Sequence, residues 1–169
     1  SHVADELTRR GYNVTVLDCV PSPWVQNAQE FVVGDMLDGD LVRKVCDGSR
    51  YLYHFAGIAD IEEAKTKPFE TIETNVLGAT TALEVSRTLG VERFIYASSM
   101  YVYSAAGSFY RASKQSVETI IEAYSESFGL DHTLLRYGSL YGPRAQTWNG
   151  IRRYVQQIVE EGQLDYEGS

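Results

Sequence analysis

Residues 93–99 read Arg-Phe-Ile-Tyr-Ala-Ser-Ser, and after ten intervening residues the chain continues Tyr110-Arg111-Ala112-Ser113-Lys114 and runs on to Phe128-Gly129. The first stretch is apolar and aromatic, which predicts a strand over 93–97 that ends in Ser98-Ser99. The second has no glycine or proline before Gly129, which predicts a helix over 110–128 closed by that glycine. The rest of the chain repeats this rhythm. Helices are expected at 3–10, 37–46, 69–89 and 150–161, each followed within two residues by a glycine: Gly11, Gly48, Gly90 and Gly162. Strands are expected at 12–17, 31–33, 51–55 and 133–136. Such alternation predicts an α/β fold with a doubly wound parallel sheet covered by helices on both faces. Ligands of these sheets bind at the carboxyl ends of the strands. That rule singles out Asp18, Asp35, Ala56-Gly57, Ser98-Ser99 and Tyr137-Gly138.

A doubly wound domain begins with a strand and a glycine-rich turn, whereas this chain begins at a helix. The expectation is that the first strand and the glycine-rich loop are absent and that the chain is an incomplete record of a larger protein. The strands that would flank the absent one then lack a ladder partner, and a compact, closed sheet would contradict this. Residues 163–169 likewise start a new segment and stop. The organisation expected is a domain over 1–143, incomplete at its N-terminus, and over 144–169 the truncated beginning of a C-terminal region.

Composition narrows the function. A chain of 169 residues that is 44% hydrophobic suffices for one domain with a sizeable core. A net charge of −8 argues against a nucleic-acid partner, which needs a basic face. No apolar run has the length of a membrane span, and the mostly polar residues 1–10 do not read as a signal peptide. Cys19 and Cys46 read as small core hydrophobes of a reducing compartment, hence a cytoplasmic location. Together with three histidines they show no metal-site spacing, so no metal is expected.

The sharpest chemical feature is the pair Tyr110 and Lys114. Residues four apart lie on one helix face, so the Lys114 ammonium sits near the Tyr110 phenol and favours phenolate over phenol. Such a tyrosine takes a proton from a hydroxyl. Ser108 reads as the N-cap, which puts Tyr110 in the first turn, where the helix dipole also favours a negative oxygen. Ser99, at the end of the preceding strand, can hydrogen-bond the oxygen that Tyr110 deprotonates. His54 reads as a packed strand histidine.

Taken in order along nearly the whole chain, these residues resemble an extended short-chain dehydrogenase/reductase of the NAD-dependent epimerase/dehydratase family. The resemblance implies a Rossmann-like NAD-binding domain over 1–143 and a substrate-binding region beginning at 144. It assigns Ser99, Tyr110 and Lys114 as the catalytic trio. Asp18 matches the acidic residue that takes the adenosine ribose. No arginine follows it, so NAD is favoured over NADP. Asp35 and Met36 match the stretch against adenine. Phe55, Ala56 and Gly57 match the segment where the backbone approaches the cofactor. Asn75 matches an asparagine that supports the active-site backbone and lies in the cofactor site. Ser98 and Tyr137, with Lys114 and Tyr110, complete the cofactor contacts. Ser99 and Ser139 fall on the substrate side, Ser139 where nucleotide-sugar enzymes often carry asparagine. Met100 and Tyr101 stand where dehydratases of the family carry an acidic pair, which ranks a sugar-nucleotide epimerase above a 4,6-dehydratase. Two further readings stay open: a sugar dehydrogenase or reductase with net NAD turnover, and a non-catalytic NAD-binding sensor. The resemblance also implies a homodimer, with the helices at 69–89 and 110–128 paired across a two-fold axis.

Overall fold

The computed structural model describes residues 1–147 and 149–164. It divides into two units, Ser1–Arg136 and Tyr137–Ser169. In chain order the first carries α1 (His2–Arg9), β1 (Val14–Asp18), β2 (Gln29–Val33), α2 (Gly39–Cys46) and β3 (Tyr51–His54). Then come α3 (Ile61–Thr66), α4 (Pro68–Ile72), a π turn (Glu73–Leu77), α5 (Gly78–Leu89), β4 (Arg93–Ser99), a 3-10 turn (Met100–Tyr103), α6 (Ser108–Phe128) and β5 (His132–Tyr137), whose last residue opens the second unit. Within the second unit, α7 (Gly150–Glu161) follows a loop and is capped by the Asn149 side chain, which accepts from the Arg152 N–H.

The strands form two parallel sheets. β1 pairs with β2, from Val14 opposite Gln29 to Asp18 opposite Val33. The second sheet has the order β3-β4-β5, with Tyr51 opposite Arg93 and His54 opposite Tyr96. Among the described residues no ladder joins β1 to β3, so each keeps one edge without a strand partner, as expected from the sequence. Central β4 is covered on both faces: Phe94, Ile95 and Tyr96 are all buried, which is why it reads as a continuous apolar run rather than an alternating one. The core of this unit packs Phe94 and Tyr96 against Ala79, Ala82 and Leu83 of α5, Val117 and Ile121 of α6, and Leu130.

The helix expected over 69–89 forms, but in three pieces: α4, the π turn and α5. Pro68 supplies a rigid first-turn residue for α4. Gly78 admits Met36, whose Cε lies 2.9 Å from where a side-chain carbon at 78 would stand. One expectation fails at α6. Ser108 is not its N-cap but its first residue, and Gly107, at φ 101°, occupies the cap. A side-chain carbon at 107 would meet the Tyr101 ring at 2.8 Å, so glycine is required there for shape as well as for φ.

His54 is a core residue, as expected. Its ring stacks on Phe94 and on Tyr96, each at 5.9 Å between centroids, and its Nε2 has no hydrogen-bond partner. Burial first, then the nearby Lys114 charge, pushes the imidazole from 6.5 down to about 3. Between those two values the unfolded chain binds the proton and the folded chain does not, so stability falls as pH drops through this window. Replacing His54 with Phe removes that contribution. Thermal midpoints measured from pH 7 downward are expected to fall less steeply for His54→Phe than for wild type; parallel curves would contradict the assignment.

Candidate active site

The site is built where α6 starts beside the end of β4. Tyr110 lies in the first turn of α6, and Lys114 follows one turn later on the same face. The Lys114 Nζ lies 5.8 Å from the Tyr110 ring centre and 4.8 Å from that of Tyr96. It donates to the Ala97 carbonyl oxygen at 2.8 Å. Lys114 is 6% exposed, and burial pulls its amine down to about 8. The group therefore still carries its proton at neutral pH, held close to the phenol, as the four-residue spacing predicts.

Ser99 is buried at the end of β4, and its Oγ accepts the Tyr101 N–H at 3.2 Å. That bond leaves the serine O–H free to donate. The Tyr101 ring meets the Tyr110 ring edge-on at 6.1 Å. Ser98, the neighbouring residue, donates its hydroxyl to the Glu118 carboxylate.

Asn75 sits within the π turn, an insertion that turns its amide out of helical register. Its Oδ1 accepts the Ile58 N–H at 2.7 Å. Its Nδ2 donates to the Ile58 carbonyl and to Ser113 Oγ, both at 3.0 Å. Ser113 in turn donates to the Tyr110 carbonyl at 2.8 Å. One amide thus couples the loop after β3 to the first turn of α6. Both Asn75 N–H donors are engaged, so its side chain serves the backbone around the site. The same clamp shapes Gly57: its φ is 144°, and a side-chain carbon there would lie 2.7 Å from Asn75 Oδ1. Only bare backbone fits, which leaves the Ala56-Gly57 stretch open to close approach by a ligand.

The remaining strand-end residues are also placed. Asp18 is exposed at the end of β1, with Oδ1 accepting the Val20 N–H at 3.2 Å. Asp35 follows β2, and its Oδ1 accepts the Leu37 N–H at 2.9 Å. Phe55 follows β3 and is exposed, its ring 5.8 Å from Tyr53. Tyr137 and Ser139 belong to the second unit. Sequence reasoning missed three groups: the Ala97 carbonyl under Lys114, Tyr103, and Glu118, which pairs with Arg136 at 2.8 Å. Among the described residues no helix is long and apolar enough to cross a membrane.

Comparison with known proteins gives a consistent result. Residues 1–167 match the NAD dependent epimerase/dehydratase family. A putative UDP-glucose 4-epimerase of Methanocaldococcus jannaschii is 28% identical, over 85% of this chain and 53% of the relative. The dTDP-glucose 4,6-dehydratase of Streptomyces antibioticus is 31% identical, over 92% of this chain and 53% of the relative. This chain thus spans about half the length of the curated relatives it matches. Among solved structures, the UDP-glucose 4-epimerase of Thermotoga maritima with UDP-glucose superposes with a TM-score of 0.86 at 25% identity, covering 94% of this chain and 59% of that one. The UDP-glucose 4-epimerase of Thermus thermophilus in complex with NAD gives 0.84 at 27% identity, covering 95% and 59%. The fold is therefore Rossmann-like. The bare backbone at Gly57, the exposed Asp18 carboxylate and the buried ammonium of Lys114 suit a dinucleotide.

The Asn75 clamp is testable by itself. Asn75→Leu keeps the volume but leaves the Ile58 N–H and C=O without partners, which destabilises by about 1–3 kcal/mol for a buried group so orphaned. Urea unfolding should show this as a lower midpoint, and an unchanged midpoint would contradict the clamp.

Proposed function

The chain belongs to the NAD dependent epimerase/dehydratase family, an enzyme family, and on that premise we propose that it forms the NAD-binding part of a sugar-nucleotide epimerase. The observation that carries the proposal is the Lys114 ammonium fixed 5.8 Å from the Tyr110 ring centre and bonded to Ala97 of the strand that ends in the buried Ser99. When bound, NAD supplies a reversible hydride acceptor. The chain's own residues handle the proton and the position of the sugar. Tyr110 takes the proton from a sugar hydroxyl and returns it after the centre has inverted. Ser99 donates its free O–H to the same oxygen while it has carbonyl character. Lys114 keeps positive charge next to the phenol and has two N–H donors left, beyond the one on Ala97, for the cofactor ribose.

For cofactor binding we assign Asp18 to the adenosine ribose, Asp35 and Met36 to the adenine side, and Phe55, Ala56 and Gly57 to close backbone approach. Residues 1–143 form the cofactor domain in this reading, and 144–169 begin the substrate region. Met100 and Tyr101 offer no carboxyl group for elimination of water from the sugar, which favours epimerase over dehydratase. The exposed apolar side chains of Phe69, Leu77 and Phe128 on α4, the π turn and α6 support a homodimer through these helices. Cys19 is exposed and Cys46 half-buried, so neither is the core residue expected from the sequence; as free thiols they accord with a cytoplasmic location.

The test is Tyr110→Phe, assayed with NAD and a panel of nucleotide sugars. Wild type should form the epimer without accumulating NADH. The variant should keep bound NAD while turnover falls by about 10²- to 10⁴-fold, the usual contribution of a positioned acid–base group. Wild-type turnover by the variant would refute the reading.

A further inference from the structure

Glu118 is a buried carboxylate that the reaction above does not use. It lies on α6 one turn beyond Lys114 and two beyond Tyr110, with its side chain 10% exposed. Three donors converge on it. Ser98 Oγ donates to Oε1; Arg136 Nε donates to Oε1 at 3.0 Å and Arg136 Nη2 to Oε2 at 2.8 Å. Burial disfavours the charge, but the bonds from Arg136 and Ser98 outweigh it and keep the carboxyl below its ordinary range. The Arg136 guanidinium also lies 5.0 Å from the Tyr103 ring centre and donates to the Tyr103 hydroxyl.

An ion pair of this kind, with Glu118 buried and Arg136 exposed, adds little net stability, because desolvation and solvent screening offset the attraction. What it fixes is geometry. Glu118 holds Ser98 directly and Tyr103 through Arg136. The segment between those two anchors carries Ser99 and Tyr101, the residue whose ring rests against Tyr110.

We infer that Glu118 is a positioning residue for Ser99, bracketing residues 98–103 at both ends so that the serine hydroxyl meets the substrate oxygen on which Tyr110 acts. This rests on the proposed roles of Ser99 and Tyr110. The experiment compares Glu118→Gln and Tyr103→Phe with wild type in the NAD-loaded protein, reading kcat and KM separately together with amide hydrogen exchange along the chain. Glu118→Gln should lower kcat by about tenfold to a hundredfold, the penalty for a slightly misplaced reacting group, with KM little changed. Exchange should quicken across 98–104 while α6 keeps its protection. Tyr103→Phe should lower kcat less, and add little in the Glu118→Gln background because both act through one bracket. Unchanged kcat in Glu118→Gln, or exchange raised evenly along the chain with a lower thermal midpoint, would reduce Glu118 to an ordinary structural ion pair and overturn the inference. If Glu118→Gln does not fold, unchanged kcat in Tyr103→Phe overturns it instead. Absence of turnover in wild type with any nucleotide sugar would sink the epimerase reading alone, and the exchange profile would still decide the bracket.

Discussion

The hydrogen bond from the Lys114 ammonium to the Ala97 carbonyl, 2.8 Å long, ties the helix that carries the tyrosine to the strand that carries the serine. A lysine amine is rarely buried without a carboxylate, because taking the charge out of water is costly. Here the carbonyl, the Tyr96 ring and the Tyr110 ring surround it instead. Among the described residues no carboxylate pairs with this ammonium, which leaves it a local source of positive potential beside two tyrosine rings. In the proposed reaction this charge stands beside the proton that leaves, and the core of α5, β4 and α6 holds it there.

Around that bond lies a second layer of support in which polar side chains grip backbone or one another. Asn75 grips Ile58, Ser113 grips Tyr110, and Glu118 grips Ser98 and Arg136. The Asn75 and Glu118 links join elements distant in sequence, while Ser113 passes the Asn75 contact on to Tyr110 within α6, so the site is positioned by tertiary contacts and not by any single helix. The π turn at Glu73–Leu77 is part of this layer, since it presents the Asn75 amide to two neighbouring elements at once.

Much of this was legible in the sequence, for definite reasons. Glycines after the helices and the continuous apolar run of β4 gave the element order, and the spacing of Tyr110 and Lys114 gave the shared face. What stayed hidden depends on partners far along the chain. The six-residue α3, capped by Asp60 accepting from the Glu63 N–H, is too short to show helical periodicity. The π turn looks like ordinary helix until Asn75 meets Ile58, 17 residues earlier. Glu118 carries no mark in the sequence, because its partners Ser98 and Arg136 lie 20 and 18 residues away. The Ser108 cap failed because the left-handed Gly107 already turns the chain into the helix.

The account stands or falls on the charge of Lys114 acting upon Tyr110. The most direct measurement is kcat for the NAD-loaded protein with Lys114→Met beside wild type and Tyr110→Phe. Loss of the ammonium should lower kcat by about 10²- to 10⁴-fold, and adding Tyr110→Phe should cost little more, because the two side chains act as one unit. Wild-type kcat in Lys114→Met would contradict it.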